Sequence, residues 1–202
     1  MKESYYLNLF VLSCKGVARL MALDVCLQLE HEQNEVEKLV GICFSPSKEE
    51  QFIVHCASNS TDFISELNYI AKQEDLIVGK ITYMKGKIVD DLGKEHEVIG
   101  FGPICVHPDF RHKGIATKML VHSLAVARHL GYQQVVILGN PNFYGRYGFR
   151  HFDTIVLPNG ESPEALLTLA LTNKPIYEGV WYYSDVYTVD QTKMESYYKE
   201  GA

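Results

Sequence analysis

Residues 99–120 read IGFGPICVHPDFRHKGIATKML. The run from Ile99 to Val106 is apolar, carries β-branched residues and glycines, and is bounded by Pro108, the pattern of a strand that ends before the proline. Beyond Arg111, His112, Lys113, Gly114 and Ile115, apolar residues recur at Ala116, Met119, Leu120, Leu124 and Ala127. That spacing describes one face of a helix, and Gly131 is a natural terminator. The stretch is therefore a strand, a tight turn and a helix. Gly114 lets the backbone approach a ligand closely. The first amides of a helix have no partner within it and carry partial positive charge, which suits a pyrophosphate. Arg111, Lys113 and Lys118 add charge around the turn. Taken alone, the turn reads equally as a phosphate cradle or as a tight connection with solvated basic side chains.

A second stretch weighs on the choice. Residues 135–150 read VVILGNPNFYGRYGFR. Val135 to Leu138 is a short continuous apolar run, as in a buried strand. Gly139-Asn140-Pro141 breaks it, and four aromatics and two glycines then surround Arg146. The order V-x-P-x-x-R-x-x-G-I-A, a helix, and a strand ending in N-P-x-x-Y-x-x-x-G-F resembles the GNAT superfamily of N-acetyltransferases, in particular its YhbS-like branch. The likeness runs from about Asp24 to Asp190.

The resemblance implies an α/β (α+β) fold: a mixed, mostly antiparallel central sheet flanked by helices, with a V-shaped gap between the central strand and the strand of residues 132–138. It implies acetyl-CoA as acyl-donor cosubstrate, held at its diphosphate by the turn of Arg111, His112, Lys113, Gly114, Ile115, Ala116 and Thr117. Its pantetheine arm would pair with the backbone of Ile104, Cys105 and Val106 as a surrogate strand, which its amides permit. An amide near Ile104 would face the oxyanion. Tyr144 matches the family tyrosine that points at the sulfur; a phenol is protonated at neutral pH and can donate to a leaving thiolate. Tyr147 is the neighbouring alternative. Phe143 would belong to the cofactor-binding set, and Arg146 reads either as a holder of the nucleotide end or as a solvated arginine. Asn140 reads either as a pantetheine ligand or as a turn cap. The stretch 62–67 resembles an F-I-x-E-L element, which implies Phe63 and Glu66 on the amine side; Glu66 reads equally as a solvated carboxylate.

The general base is the gap in this reading. Residues 100–106 contain no carboxylate, and Glu97, Glu66 and His107 lie elsewhere in the sequence. An amine of lysine type would need help to lose its proton, and a weakly basic amine would need little. Cys105 is read as a small buried hydrophobe rather than an acyl-enzyme nucleophile, since no histidine partner is evident. The expected activity is transfer of an acetyl group to a primary amine of a small molecule or protein. The missing carboxylate favours the alternative, a non-catalytic acyl-CoA-binding or sensing domain.

Composition narrows the rest. The chain has 202 residues, 25 acids against 19 bases, and a net charge of −6. With no basic block, nucleic acid is not an expected partner. The five cysteines include no C-x-x-C pair. A metal site or disulfide framework is not expected, and a reducing compartment, the cytoplasm, fits. The apolar run within residues 1–23 is too short and polar for a membrane span. Residues 1–23 are read as an N-terminal extension of unknown role, with Met21 a possible start, 24–190 as the acetyltransferase domain, and 191–202 as a polar tail, helical or frayed. A homodimer is an open possibility.

Between these landmarks the patterns predict a strand at Val25–Leu29, helices over 32–44 and 48–56, and strands over 67–73 and 76–85. A polar hairpin loop is expected over 86–97, a loop over 153–163, and strands at 165–171 and 179–183.

Overall fold

The computed structural model describes residues 23–200. In chain order its elements are β1 (Leu23–Leu27), α1 (Gln33–Phe44), α2 (Glu49–Ala57), β2 (Tyr69–Gln73), β3 (Leu76–Val89), β4 (Glu95–Val106) and α3 (Ile115–His129). There follow β5 (Gln134–Leu138), the one-turn α4 (Pro141–Tyr144), β6 (Arg150–His151), β7 (Ile155–Val156), β8 (Leu166–Ala170), β9 (Gly179–Tyr182) and α5 (Gln191–Lys199). The expected N-terminal extension lies, apart from Leu23, outside the described residues.

The strands form a single mixed sheet in the order β1-β2-β3-β4-β5-β8-β6, with β9 on the same edge of β3 as β2, further along it, and β7 beside β9. All pairings are antiparallel except β4 with β5 and β7 with β9. This is the mixed, mostly antiparallel sheet with flanking helices that the motifs imply. Side chains on α3 meet one face: Ile115, Met119, Leu120, Leu124 and Ala127 join Tyr83, Ile99, Val135 and Phe149 in the largest buried cluster. On the other face Val36, Leu39 and Val40 of α1 pack with Val54, Ile70, Ile77 and Cys105. A third cluster joins Trp181 of β9 to Ile88, Val98, Val136 and Leu166. Ile115, rather than the expected Ala116, carries the first core position of α3. Ala116 is thereby turned toward the cleft described below.

The parallel β4–β5 pair decides the site. Its register contains one pair, Ile99 with Val135. A Cβ on Gly100 would lie 2.8 Å from the Val136 carbonyl oxygen, so a bare backbone is needed where the strands approach. Beyond it β4 stays paired with β3 as far as Val106, and β5 stays paired with β8. Among the described residues the β5-facing edge of residues 101–106 is left without a strand partner, a gap in the sheet that a ligand with amides can fill.

Two expected loops are corrected. The polar stretch 86–97 is mostly strand: β3 runs to Val89 and β4 begins at Glu95, leaving only 90–94 as the turn. Charge there marks solvated side chains rather than irregular backbone, as the exposed Lys87–Glu95 pair across the ladder shows. Ile88 between them is fully buried and β9 pairs with 87–89. Likewise 153–163 contains β7, whose buried Ile155 reaches the third cluster. Residues 191–199 form a docked helix. The Asp190 carboxylate caps it by accepting from the Thr192 and Lys193 amides. Tyr197 donates to Glu37 at 2.7 Å and Tyr198 to the Lys48 carbonyl at 2.9 Å. No helix among the described residues is long and apolar enough to cross a membrane.

Candidate active site

Two cavities flank the gap between β4 and β5. The larger is a cleft of about 560 Å³. One wall is the strand edge at Ile104, Cys105 and Val106. Arg111, His112, Gly114, Ile115, Ala116 and Thr117 form its floor, and Phe143, Tyr144 and Arg146 the far wall. Twelve side chains expected from the sequence are thus brought together. Cys43, Phe44 and Phe110, which sequence reasoning did not single out, complete the lining. The signal for the first two was weak: only a helix ending in Cys-Phe, where tertiary packing brings its C-terminus over the cleft.

The turn has the backbone of an anion cradle. His112 lies at φ 62° and Gly114 at φ 76°, both left-handed, with Lys113 between them at negative φ. Alternating handedness turns successive amides toward one hollow. A non-glycine residue in that region is strained and marks a site of function. The Lys118 amide makes the first backbone bond of α3, to the Gly114 carbonyl at 3.0 Å. The amides of residues 115–117 therefore face outward at the helix start. Arg111 is braced, its guanidinium donating to the Val106 carbonyl at 3.2 Å and to the Cys43 carbonyl at 3.1 Å. Lys113 turns aside: its ammonium donates to the Asp109 carbonyl and lies 4.9 Å from the Phe110 ring. It does not line the cleft.

Tyr144 and Tyr147 are separated by their partners. The Tyr147 hydroxyl and the Thr117 hydroxyl are 2.6 Å apart, tying α4's end to α3. Tyr144 sits between Phe101, Phe143 and Phe149, with ring centroids 4.9–5.7 Å away. A Cβ on Gly139 would lie 2.4 Å from the Tyr144 ring, so glycine there makes room for it. Burial pushes the Tyr144 phenol up to about 12. It stays protonated at physiological pH, the state of a general acid. Asn140 caps α4, its side chain accepting from the Asn142 amide at 2.9 Å, and does not line the cleft. Arg146 lies across the Phe143 ring at 5.0 Å.

The smaller cavity, about 260 Å³, is on the β9 side of the gap. It shares Phe101 with the Tyr144 packing, and its walls carry Met84, Lys85, Trp181, Tyr183 and Tyr187. Phe63 and Glu66 do not line it. Phe63 bridges to Met84 on the edge of β3 between β2 and β9. Glu66 is exposed on a single 3-10 turn, where its own amide and the Ser65 hydroxyl hold its carboxyl below the usual range. The sequence signal for this cavity is the spacing of Gly100 and Gly102, which bares one face of the strand; the aromatics that cover it come from about 80 residues later.

Two groups behind the cleft are chemically unusual. The Cys105 thiol hydrogen-bonds to Cys43, which with burial pushes Cys105 well up; that bond and the Arg111 guanidinium lower Cys43. Cys43 lines the cleft and is the more thiolate-rich of the pair. We expect iodoacetamide to modify Cys43 faster than Cys26, Cys56 or Cys105, whose thiols burial raises, with peptide mass spectrometry as the readout. Equal rates would refute the arrangement. Lys80, 1% exposed, donates to the Asn68 side-chain carbonyl at 3.1 Å, and burial pushes its ammonium down to about 7.

Known proteins place this architecture. Residues 65–151 match the acetyltransferase (GNAT) domain model. A 69-residue stretch is 33% identical to a protein of Escherichia coli K12 described as uncharacterized N-acetyltransferase YhbS. It covers 34% of this chain and 41% of that protein, so the alignment spans about two fifths of the relative's length. The crystal structure of E. coli YhbS in complex with CoA superposes with a TM-score of 0.75 at 18% identity, over 87% of this chain and 97% of the other. A GNAT family acetyltransferase from Brucella melitensis in complex with acetyl-CoA gives 0.68 at 20% identity, over 83% and 99%. These likenesses carry the fold.

Proposed function

We propose that this chain, which carries a GNAT acetyltransferase domain, transfers an acetyl group from acetyl-CoA to a primary amine by direct attack. The observation that carries the reading is the unpaired edge of β4 at residues 104–106, flanked by the left-handed turn at Gly114 and by the protonated Tyr144. The residues fit the donor: an exposed strand edge for amides, an outward-facing set of helix amides with Arg111 for phosphates, and an aromatic wall at Phe143. Acetyl-CoA, when bound, supplies an activated acyl carbon and a thiolate leaving group. Around it Ile104 to Val106 align the chain along the gap, and the turn of 111–117 anchors its charged end. Tyr144 holds a proton ready for the sulfur. The relatives' complexes with CoA and acetyl-CoA support the same assignment.

Calorimetric titration with acetyl-CoA, paired with colorimetric detection of free thiol in the presence of amines, tests this. Binding with amine-dependent thiol release is the expected result, and absence of binding by folded protein would overturn it. Gly114→Val tests the anchor. Nothing lies within 4 Å of a Cβ at Gly114, so the effect comes from forcing a branched residue to φ 76°. A strain of about 1–2 kcal/mol acts on the turn. The expected result is acetyl-CoA affinity weakened by roughly tenfold.

A further inference from the structure

We propose that the acceptor is a neutral aryl amine: one aromatic ring carrying the amino group and, at its far end, a hydrogen-bond acceptor. This deepens the acetyl-transfer reading and rests on it.

Three features of the smaller cavity carry the inference. Its volume, about 260 Å³, holds one ring with substituents, since a cavity of about 150 Å³ accepts benzene. Its lining offers a charged amine no counter-charge. None of its lining residues is a carboxylate; the charged one, Lys85, is itself a cation. The Lys85 partner, Glu97, is 4.0 Å away and lines the neighbouring outer groove instead. An ammonium ion entering here would lose hydration without gaining a counter-charge. An aryl amine arrives uncharged, because its lone pair is delocalised into the ring. Last, the cavity offers a buried donor in need of a partner. Trp181 is 5% exposed, and its Nε1 makes no hydrogen bond among the described residues. That nitrogen stands 3.4 Å from where a Cβ on Gly86 would lie, in the cavity wall. Unpaired buried donors are rare and costly, and an acceptor on the ligand would satisfy this one.

The same choice answers the missing base. A neutral aryl amine needs no deprotonation before attack. Its nitrogen lone pair forms the C–N bond to the acetyl carbon of acetyl-CoA as the C–S bond breaks. The sulfur takes the Tyr144 proton, and the proton shed by nitrogen returns through water to the Tyr144 oxygen, so no external base is consumed. Phe101 lines the smaller cavity, and its ring lies 5.7 Å from that of Tyr144, which lines the larger one.

The chain contains one tryptophan, so its NMR spectrum holds a single indole N–H resonance, that of Trp181. Full-length protein would be titrated at pH 7.5 with 4-aminoacetophenone, an aryl amine with a carbonyl acceptor. The control is 4-acetylbenzylamine, whose extra methylene makes the amine an ammonium. The aryl amine should move the indole resonance saturably. It should also exceed the control by at least about tenfold in kcat/KM for acetyl-CoA-dependent thiol release. An unmoved resonance, or equal effects from both compounds as a π-bound cation would produce, overturns the proposal. Calorimetry with acetyl-CoA on the same sample separates the two levels: donor binding without an indole shift sinks only the acceptor class. Failure to bind the donor sinks the acetyl-transfer reading beneath it.

Discussion

Tyr144→Phe should lower kcat by about 10²–10³ while leaving acetyl-CoA affinity within about threefold of the parent. The substitution keeps the ring, so the packing with Phe101, Phe143 and Phe149 and the fit over Gly139 persist. Only the proton donor is lost. The fall should sit toward the low end of general-acid effects, because a thiol has an ordinary pKa of about 8.5 and its thiolate is a tolerable leaving group. Burial holds the Tyr144 phenol up to about 12, so the parent enzyme should not lose this acid anywhere between pH 7 and pH 10. Steady-state kinetics with calorimetry separates the outcomes. Equal losses of turnover and donor affinity would mean that the hydroxyl shapes the cleft instead of serving the sulfur. Tyr147→Phe is the comparison. Its hydroxyl is engaged with Thr117, and the expected loss in kcat is much smaller.

The second large effect concerns stability. Lys80 is buried and its ammonium is pushed down to about 7, against an ordinary value of 10.5. Between those values the unfolded chain holds a proton on this group that the folded chain does not. Stability from this source therefore rises with pH from 7 upward and is flat below it, where both states are charged. Lys80→Met removes the titration and keeps the volume. At pH 7 it should raise the free energy of unfolding by on the order of 3–5 kcal/mol, the cost of neutralising a lysine less one hydrogen bond. The Asn68 carbonyl would still accept from the Tyr83 amide at 3.3 Å. The parent should gain on the variant by on the order of 1–2 kcal/mol from pH 7 to pH 8.5. Every other titrating group is common to the two chains, so their difference isolates Lys80. Denaturant unfolding at several pH values provides the measurement, and parallel profiles would show that the amine is not desolvated as described.

How much of this was legible beforehand depended on how local each signal was. The strand, turn and helix of 99–129 were readable because apolar period, Pro108, Gly114 and Gly131 agree within one short window. The aromatic cluster after Asn140 was equally local, and nine residues of that cluster and the turn line a single cleft together with Ile104 to Val106. The extension of β3 and β4 through 86–97 was not readable. Its alternating charges are what a solvated strand face and a loop have in common, and β9, the strand that makes the difference, is almost a hundred residues away. Asn140 was ambiguous for another reason. Asn-Pro both caps a helix and ends a strand near a ligand, and the bond to the Asn142 amide selects the cap.

Two spaced motifs, through the family they resemble, were enough to specify the sheet-and-helix architecture, and hydrophobic period with turn chemistry the strand, turn and helix beside the cleft, since each is written in contiguous residues. The bond that engages the Tyr147 hydroxyl, the depressed ammonium of Lys80 and the aromatic cavity around Trp181 belong to the tertiary structure alone. Hydroxyl partners, dielectric surroundings and enclosed volume are properties of what the chain brings together from a distance: Thr117 to Tyr147, Asn68 to Lys80, Trp181 to Gly86 and Gly100.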